Sequence, residues 1–320
     1  MKSKKKEFVK PTIKKVFIVV AVYNRIKTTV AFVEQIKAQT YQNIELIVVD
    51  DCSTDGTPDK TKLLCKDWGK LVLLRTEGNA WWGGCMHLGM DFILRKPDLS
   101  VDDCILLMND DVSFECNLVE DFIHANKSMP NAVLAAVPMN GTRIKAIGSN
   151  MISWPFALSY SPFKGKEINT PGIPDFIPID FQYGHATLYP ICIVREIGNL
   201  AYKQLPHYHG DGEYSYRAKK NGFCSYVVKS IRINPDTDST GLFNSSANNH
   251  TVKEFFKSFT SFKSINNVKH RWEFSKLTAP RIWREMYFAS EIVKSIARSL
   301  FFILFFKLRL LVTTKKRQVS

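Results

Sequence analysis

Polar side chains stand directly after three hydrophobic runs of the sequence. These clusters are Tyr23-Asn24, Asp50-Asp51 and Asn109-Asp110-Asp111. Carboxylate and amide oxygens can accept the N–H of a base edge or ligate a hard cation, and Mg²⁺ or Mn²⁺ often bridges a protein carboxylate to phosphate groups. Because Asp and Asn also favour turns, each cluster taken alone is explained as well or better by loop formation.

The runs before these clusters predict strands, and helical patterns lie between them. The predicted strands are Val16–Val22, Ile44–Val49, Leu71–Arg75, Cys104–Met108 and Phe223–Ile233, and the predicted helices are Thr28–Thr40, Asp59–Trp68, Trp82–Arg95 and Glu213–Asn221. Residues 183–195 predict a strand followed by the start of a helix. The proline-rich residues 140–182 predict a meander of short strands and loops over the active face. This alternation predicts an α/β fold with a doubly wound, mostly parallel sheet, in which ligands bind beyond the carboxyl ends of strands.

Composition excludes several classes of protein. The 320 residues are 45% hydrophobic and 23% charged, which excludes wholesale disorder and collagen-like or coiled-coil fibres. Seven scattered cysteines without a C-x-x-C pair argue against a disulfide scaffold or a Cys-rich zinc module, and a reducing cytosol fits best. The sequence also lacks G-x-G-x-x-G and G-x-x-x-x-G-K-[ST], so neither a dinucleotide site nor a P-loop is supported.

The net charge of +14 is concentrated at the two ends of the chain. Residues 1–15 carry +6 and residues 251–320 carry +11, whereas residues 16–250 carry −3. Basic ends suit an anionic surface, either nucleic acid or the inner face of a membrane. For the N-terminal run, solvated lysines that keep the protein soluble are an equally good explanation.

The C-terminal segment is apolar with interleaved Lys and Arg. No signal peptide is recognisable, and no run reaches the roughly 20 apolar residues that a membrane span needs. Residues 286–313 predict a helix that lies in the membrane interface, with its basic residues on anionic headgroups. The alternative is a helix packed on the catalytic domain.

Five segments together have a more specific meaning than any cluster alone. VFIVVAVYNR, IELIVVDDCSTDGT, GNAWWGGCMHLGM, LLMNDDV and LPHYHGDGEYSYRAKKNGF occur in this order and with fitting separations. In this respect residues 16–240 resemble the family 2 glycosyltransferases, which are inverting enzymes with the GT-A fold. The resemblance and the charge pattern together predict three parts: a basic tail at 1–15, a GT-A catalytic domain at 16–245, and basic, aromatic C-terminal helices at 246–320.

The resemblance also implies a donor site and a metal site. The implied donor-binding residues are Ala21, Tyr23, Asn24, Asp51, Gly83, Gly84 and Asp110. Asp51 would accept the N3–H of uracil or thymine, and the two glycines would let the backbone lie close to ribose and phosphate. Asp111 and Asn109 stand where the family has its D-x-D motif, with Asn at the first position, and imply a divalent cation, Mn²⁺ or Mg²⁺. The family's later metal-binding His is missing, and Asp236 or Asp238 could replace it.

For the transfer itself, the resemblance implies that Asp211 is the catalytic base. A base is needed because a sugar hydroxyl is a poor nucleophile until a carboxylate removes its proton. The residue type alone would equally suit an N-cap of the following helix. Further residues are candidates for contact with the acceptor, with ordinary structural roles as the alternative: Glu213, His185, His209 and Trp81.

These features predict an enzyme that uses a nucleotide sugar. The expected donor is a UDP-sugar or dTDP-rhamnose, and the expected acceptor is a hydroxyl of a glycan or lipid-linked glycan in bacterial capsule, O-antigen or cell-surface polysaccharide synthesis. We expect it in the cytoplasm, peripherally on the inner face of the membrane, and not on nucleic acid. The alternatives are an inactive GT-A-fold binding subunit and, more remotely, a basic nucleic-acid-binding protein.

Overall fold

The computed structural model describes residues 15–236 and 252–298. The strands are β1 (Val16–Val22), β2 (Ile44–Asp50), β3 (Leu71–Arg75), β4 (Cys104–Met108), β5 (Val112–Phe114), β6 (Ala132–Asn140), β7 (Arg143–Ile144), β8 (Asn150–Ser153), β9 (Leu158–Tyr160), β10 (Phe176–Pro178), β11 (Ala186–Pro190) and β12 (Cys224–Pro235). The helices are α1 (Ile26–Lys37), α2 (Thr57–Leu64), α3 (Trp81–Leu94), α4 (Leu118–Ser128), α5 (Ile191–Ile197), α6 (Gly210–Lys220), α7 (Val252–Ser258) and α8 (Val268–Thr278). A 3₁₀ turn at Arg281–Trp283 precedes the helical residues 284–298.

Ten strands form one mixed sheet. Its main order is β10-β12-β6-β11-β4-β1-β2-β3, with β5 beside β12 and β7 beside β6. Strand β1 pairs in parallel with β2 and β4, and β2 pairs in parallel with β3. Strand β11 runs antiparallel to both β4 and β6, while β12 is parallel to β6. The predicted mostly parallel α/β sheet with flanking helices is therefore confirmed.

Strand β1 explains why the sheet has a core on each face. Val16, Ile18 and Val20 pack into one hydrophobic cluster with the inner side of α1, and Phe17 and Val19 pack into the other with α3. Successive side chains of a strand point to opposite faces, so a strand that is covered on both sides must be apolar throughout. The continuous run VFIVVAV meets that requirement.

The helices begin and end a few residues from the predicted positions. Helix α2 begins at Thr57, directly after Gly56 with φ of 84° and with Pro58 in its first turn, and it ends at Leu64. Helix α6 begins at Gly210, three residues earlier than predicted, which puts Asp211 in its first turn. These shifts arise at caps and first turns, which the apolar spacing of the helix body does not report.

The chain divides into two compact units. Of the described residues, the first unit comprises 15–150, 161–206 and 210–236, and the second comprises 151–160, 207–209 and 252–298. The predicted boundary near residue 245 and most of the predicted tail at 1–15 lie outside the described residues, so that division of the chain stays a prediction. Within the described ranges, no helix is both long and apolar enough to cross a bilayer. Residues 299–313 of the predicted interface helix are not among those described.

Candidate active site

The carboxyl ends of β1, β2 and β4 lie side by side in the sheet. Val22 is paired with Asp50, and Val20 with Met108, so the polar residues that follow each strand meet at one edge. The backbone N–H of Asp51 donates to the carbonyl of Val22 over 2.9 Å and extends this junction. The predicted clusters are therefore brought together.

Asp51 organises the segment between β3 and α3. Its carboxylate accepts the Thr76 hydroxyl and the backbone N–H groups of Ala80 and Trp81, both at 3.0 Å, and the residue is 8% exposed. A carboxylate has about four lone-pair sites, so one acceptor site on Oδ2 is left for the predicted base contact. Asp50 is fully buried and accepts the backbone N–H of Ser53, so it supports the turn after β2.

The residues after β1 shape the rim of the same edge. Asn24 has φ of 48°, and its side-chain oxygen accepts the backbone N–H of Thr54 at 2.8 Å. The backbone N–H of Asn24 in turn donates to the Ser53 hydroxyl. Asn24 therefore holds the turn after β2, while the neighbouring Tyr23 ring is 56% exposed and free to contact a ligand.

Gly83 and Gly84 lie in the first turn of α3, and the chain itself fills the space beside Gly83. A Cβ at Gly83 would lie 2.6 Å from the carbonyl oxygen of Leu205 and 2.8 Å from that of Pro206. The Gly83 N–H also donates to the Pro206 carbonyl at 2.7 Å. Contact with the backbone at 205–206 by itself requires glycine at position 83. A donor-binding role for either glycine stays a prediction.

Three consecutive residues after β4 have three different environments. The side-chain oxygen of Asn109 accepts the indole N–H of Trp82 at 2.9 Å. Asp110 is 3% exposed and accepts both the Arg25 guanidinium and the Thr29 hydroxyl, and burial raises its pKa while Arg25 opposes the shift. The Asp111 carboxylate is 20% exposed and has a longer contact of 3.4 Å with Arg25. Asp111 is therefore the most available ligand of the three.

The residues around Asp111 fit a cation that takes further ligands from phosphate and water. The backbone N–H of Asp236 donates to the Asp111 carbonyl at 2.8 Å, so Asp236 follows β12 directly beside the motif. Within residues 15–236 and 252–298, no three His, Cys, Asp or Glu side chains form a ready metal cluster. Mg²⁺ is commonly held by one or two carboxylates with substrate phosphates. The second alternative ligand, Asp238, lies outside the described residues.

Asp211 is held by two backbone donors. Its Oδ2 accepts the Gly184 N–H at 2.7 Å, and its Oδ1 accepts the Gly212 N–H at 2.8 Å. Burial raises the pKa of Asp211, although these two N–H groups and His185 oppose the shift. Trp82, Gln182 and Tyr214 line a small cavity with it. A fixed carboxylate of raised pKa at a cavity is suited to proton transfer.

The segment Tyr183-Gly184-His185 connects the carboxylate of Asp211 with the residues after β4. Gly184 donates to Asp211, and the carbonyl of His185 accepts the N–H of Asn109 at 3.1 Å. Among the residues that the structure describes, the buried ring Nδ1 of His185 has no hydrogen-bond partner. Burial lowers the pKa of His185, while the charges of Asp111 and Asp211 oppose the shift. His185 therefore lies within electrostatic reach of both carboxylates.

Two of the predicted acceptor-contact residues have partners within the protein. Glu213 is 2% exposed and pairs with Arg217, whose Nε donates to its Oε1 at 2.9 Å. His209 belongs to the second unit, where its Nε2 contacts the Ile265 carbonyl at 3.1 Å. The ion pair gives Glu213 a structural role, and acceptor contact at either residue stays a prediction. Trp81 has a φ of 58°, and its backbone N–H donates to the Asp51 carboxylate.

Comparison with known proteins decides the family. The profile described as "Glycosyl transferase family 2" matches residues 17–185, which is more than half of the chain. The chain belongs to glycosyltransferase family 2. The family expected from the sequence is therefore confirmed.

Curated relatives match over limited segments. Glycosyltransferase GlyG of Streptococcus pneumoniae is 55% identical over 73 residues, which are 23% of this chain and 24% of GlyG. An uncharacterized glycosyltransferase of Rickettsia felis is 28% identical over 116 residues, which are 36% of this chain and 19% of that protein. The chain thus spans less than a quarter of the length of these relatives.

Solved structures confirm the GT-A fold of this glycosyltransferase. The mannosyltransferase PcManGT of Pyrobaculum calidifontis, in complex with GDP-Man and Mn²⁺, superposes with a TM-score of 0.56 at 12% identity, over 97% of this chain and 82% of its own. Staphylococcus aureus TarS 1–349, in complex with UDP, gives 0.51 at 13% identity over 88% of each chain. GalNAc-T7 with UDP, GalNAc and Mn²⁺ superposes with a TM-score of 0.55 at 12% identity, over 89% of this chain and 58% of its own.

Proposed function

We propose that this glycosyltransferase is an inverting enzyme that moves a sugar from a nucleoside diphosphate to a hydroxyl of a glycan or lipid-linked acceptor, in bacterial cell-surface polysaccharide synthesis. The observation that carries the proposal is the segment 183–185, which holds Asp211 through Gly184 and Asn109 through His185. It joins the candidate base and the candidate diphosphate end of the site through two hydrogen bonds.

The chemistry is a single displacement. The acceptor O–H transfers its proton to the Asp211 carboxylate as the oxygen forms a bond to the anomeric carbon. The bond from that carbon to the diphosphate oxygen breaks on the opposite side, so the configuration inverts. When a divalent cation is bound at Asp111, with Asp236 beside it, it supplies positive charge to the leaving diphosphate.

The donor nucleotide is assigned from the remaining acceptor site on Asp51. One carboxylate oxygen suits the single N3–H of uracil or thymine, which favours a UDP-sugar or dTDP-rhamnose. TarS, which has the same fold, is described in complex with UDP, whereas PcManGT is described with GDP-Man. The fold therefore does not choose the base, and the proposal rests on Asp51.

Calorimetric titration with UDP, dTDP and GDP, each with and without Mn²⁺, tests this assignment. We expect the uracil or thymine nucleotide to bind more tightly than GDP, and Asp51→Asn to reduce that preference. Asp59→Asn, at an exposed position on α2, is the matched control. Tighter binding of GDP would overturn the base assignment, and no binding of any nucleotide would overturn the donor site.

The inactive binding subunit is the second candidate, and the Asn109 environment is the observation that favours it. The side-chain oxygen that would stand in for the missing aspartate is already engaged by Trp82. Nucleotide binding without any release of nucleoside diphosphate from sugar donors, in the presence of Mn²⁺ and acceptor extracts, would support this candidate over the enzyme.

We further propose that the second unit contacts an anionic membrane at the cytoplasmic face, where a lipid-linked acceptor would be found. Residues 252–298 contain ten Lys or Arg and four Glu. Along residues 282–296, exposed apolar side chains recur every three or four positions: Ile282, Met286, Ala289, Val293 and Ile296. Basic charge beside an apolar stripe fits an anionic lipid surface. All seven cysteines are free, which fits a reducing compartment.

Flotation with phosphatidylglycerol vesicles tests the membrane contact, with phosphatidylcholine vesicles as the neutral comparison. We expect the pair of changes Met286→Ser and Val293→Ser to weaken binding at least several-fold. Leu63→Ser removes an equally exposed apolar side chain from the first unit and is expected to have no effect. Unchanged binding in the double variant, or loss of self-association instead of lipid binding, would overturn the lipid assignment.

A further inference from the structure

Arg25 lies at the start of α1 and contacts two adjacent carboxylates with one guanidinium. One terminal nitrogen donates to Asp110, and the other lies 3.4 Å from Asp111. Asp110 is buried and has a second donor, the Thr29 hydroxyl at 3.0 Å. The two contacts are therefore unequal. Asp110 is buried and has two donors, whereas Asp111 is partly exposed and has only the longer contact of 3.4 Å with Arg25.

A fixed positive charge at this position affects any cation that binds Asp111. A guanidinium is not deprotonated in proteins, and Arg25 has two carboxylates as partners, so it stays charged. Like charges in a partly buried site disfavour each other. A divalent cation at Asp111 would therefore bind weakly beside Arg25 until a negative group joined them. The diphosphate of a donor is such a group.

We propose that Arg25 couples binding of the divalent cation to binding of the donor diphosphate. Without the donor, the guanidinium partly neutralises Asp111 and opposes the cation. With the donor, the phosphate oxygens offer Arg25 a second anionic partner and offset the repulsion, so cation and donor bind together. This inference rests on the proposed donor site. Because coupling between two ligands is reciprocal, the cation must strengthen nucleotide binding by the same factor.

A purely structural role for Arg25 makes a different prediction. In that case the residue only ties α1 to the end of β4, and its removal would loosen Asp111 and weaken cation binding. The proposed coupling instead requires cation binding to become tighter. The sign of the change therefore separates the two roles.

The test is calorimetric titration of Mn²⁺ into the full chain, alone and saturated with whichever of UDP, dTDP and GDP binds best. The comparison is between Asp110→Asn and the double variant Arg25→Gln with Asp110→Asn, which differ in the Arg25 charge and leave no buried carboxylate unpaired. Arg25→Lys keeps the charge, and Thr29→Val removes only the second donor to Asp110. Equal melting temperatures establish that the variants are folded.

We expect the double variant to bind Mn²⁺ alone at least fivefold more tightly than Asp110→Asn, within the range usual for coupled sites. In the double variant, the factor by which bound nucleotide tightens Mn²⁺ binding should shrink by the same amount. Arg25→Lys and Thr29→Val should keep that factor. Weaker or unchanged Mn²⁺ binding in the double variant, with normal nucleotide binding, would overturn the role of Arg25 alone. Absence of nucleotide binding to the wild type would overturn the donor site as well.

Discussion

Asp211 is the residue whose environment most directly bears on catalysis. Burial raises its pKa above the ordinary aspartate value of 3.8, and the N–H groups of Gly184 and Gly212 oppose the shift only in part. A carboxylate accepts a proton only when it is ionised. We therefore predict that kcat/KM falls as the pH is lowered through a midpoint above 3.8, and is level at higher pH. A pH–rate profile of the wild type measures this midpoint.

Asp211→Asn is the companion experiment. General-base catalysis typically contributes about 10²- to 10⁴-fold to a rate, so we expect a loss of that order in kcat with nucleotide affinity unchanged. Transfer that persists in Asp211→Asn, with its pH profile unaltered, would show that another group removes the proton.

Residue types predicted part of this site, and their partners had to come from the structure. Asp51, Asp111 and Asp211 stand out because each follows a recognisable signal in sequence. Arg25 directly follows the polar pair Tyr23-Asn24 after β1, but sequence reasoning missed it. Its partners Asp110 and Asp111 are 85 and 86 residues away. Spacing along the chain does not report such distant pairs.

At the scale of elements, the close contact of α3 with the segment at 205–206 gives a test of why Gly83 is glycine. Gly→Ala in a helix interior ordinarily stabilises by about 0.5–1 kcal/mol. At Gly83 the new Cβ would meet two carbonyl oxygens within 2.8 Å. We predict that Gly83→Ala destabilises the protein by about 1–3 kcal/mol, measured by urea unfolding without nucleotide.

Gly84→Ala is the control in the same turn of α3. There the nearest atom to a new Cβ is the Ala80 Cβ at 3.1 Å, so a smaller change is expected. Unaltered stability in Gly83→Ala, with weakened nucleotide binding, would favour the explanation predicted from the sequence, in which the glycine makes room for the donor.

The pair Glu213 and Arg217 gives a second prediction on α6. Arg217 also donates to the carbonyls of Ile197 and Asn199, so it ties α6 to the end of α5. Removing one partner of a buried ion pair costs about 3–5 kcal/mol, because a buried charge is left unpaired. We predict a loss of that order for Arg217→Met in urea unfolding.

The double change Glu213→Gln with Arg217→Met should recover part of this loss. If Glu213 contacts the acceptor instead, Glu213→Gln would raise the acceptor KM and leave stability unchanged. Those two outcomes separate the structural role from the one expected from sequence.

Strands were easier to predict than helix ends. β1 and β4 have the bounds expected from their apolar runs, because burial on both faces leaves a continuous hydrophobic signal. α1 begins at Ile26 rather than Thr28, and its capping residue Arg25 makes no side-chain cap hydrogen bond. Without a capping side chain, the sequence holds no clear mark of where that helix starts.

At the scale of the whole molecule, the second unit carries two partly buried histidines that make it sensitive to acid. Burial lowers the pKa of His207 to about 4 and that of His209 to about 3. Histidines that are neutral when folded contribute their full stability above about 6.5, the pKa expected in the unfolded chain. That stability is lost as the pH falls from 6.5 towards 4.

We therefore predict that the melting temperature decreases between pH 6.5 and pH 4, and that His207→Gln reduces the decrease. His124→Gln, at an exposed position on α4, should follow the wild type. Circular dichroism at a series of pH values makes the comparison. Identical curves for all three proteins would show that His207 does not titrate on unfolding.

The overall division of the molecule was only partly readable from the sequence. The change in composition near residue 250 indicates a separate basic, aromatic part, but the second unit also includes residues 151–160 and 207–209. Short segments that join a distant part of the chain leave no shift in composition. Long-range packing therefore has to be seen in three dimensions.

The proposed reaction inverts the anomeric carbon of a nucleotide sugar in a single displacement. Water can replace the acceptor in a direct test of this inversion. We would follow UDP-α-sugars with enzyme and Mn²⁺ by proton NMR, before the released sugar mutarotates. We predict that the first sugar to appear is the β anomer, together with UDP, and that Asp211→Asn releases neither. Release of the α anomer first would contradict inversion and with it the role assigned to Asp211.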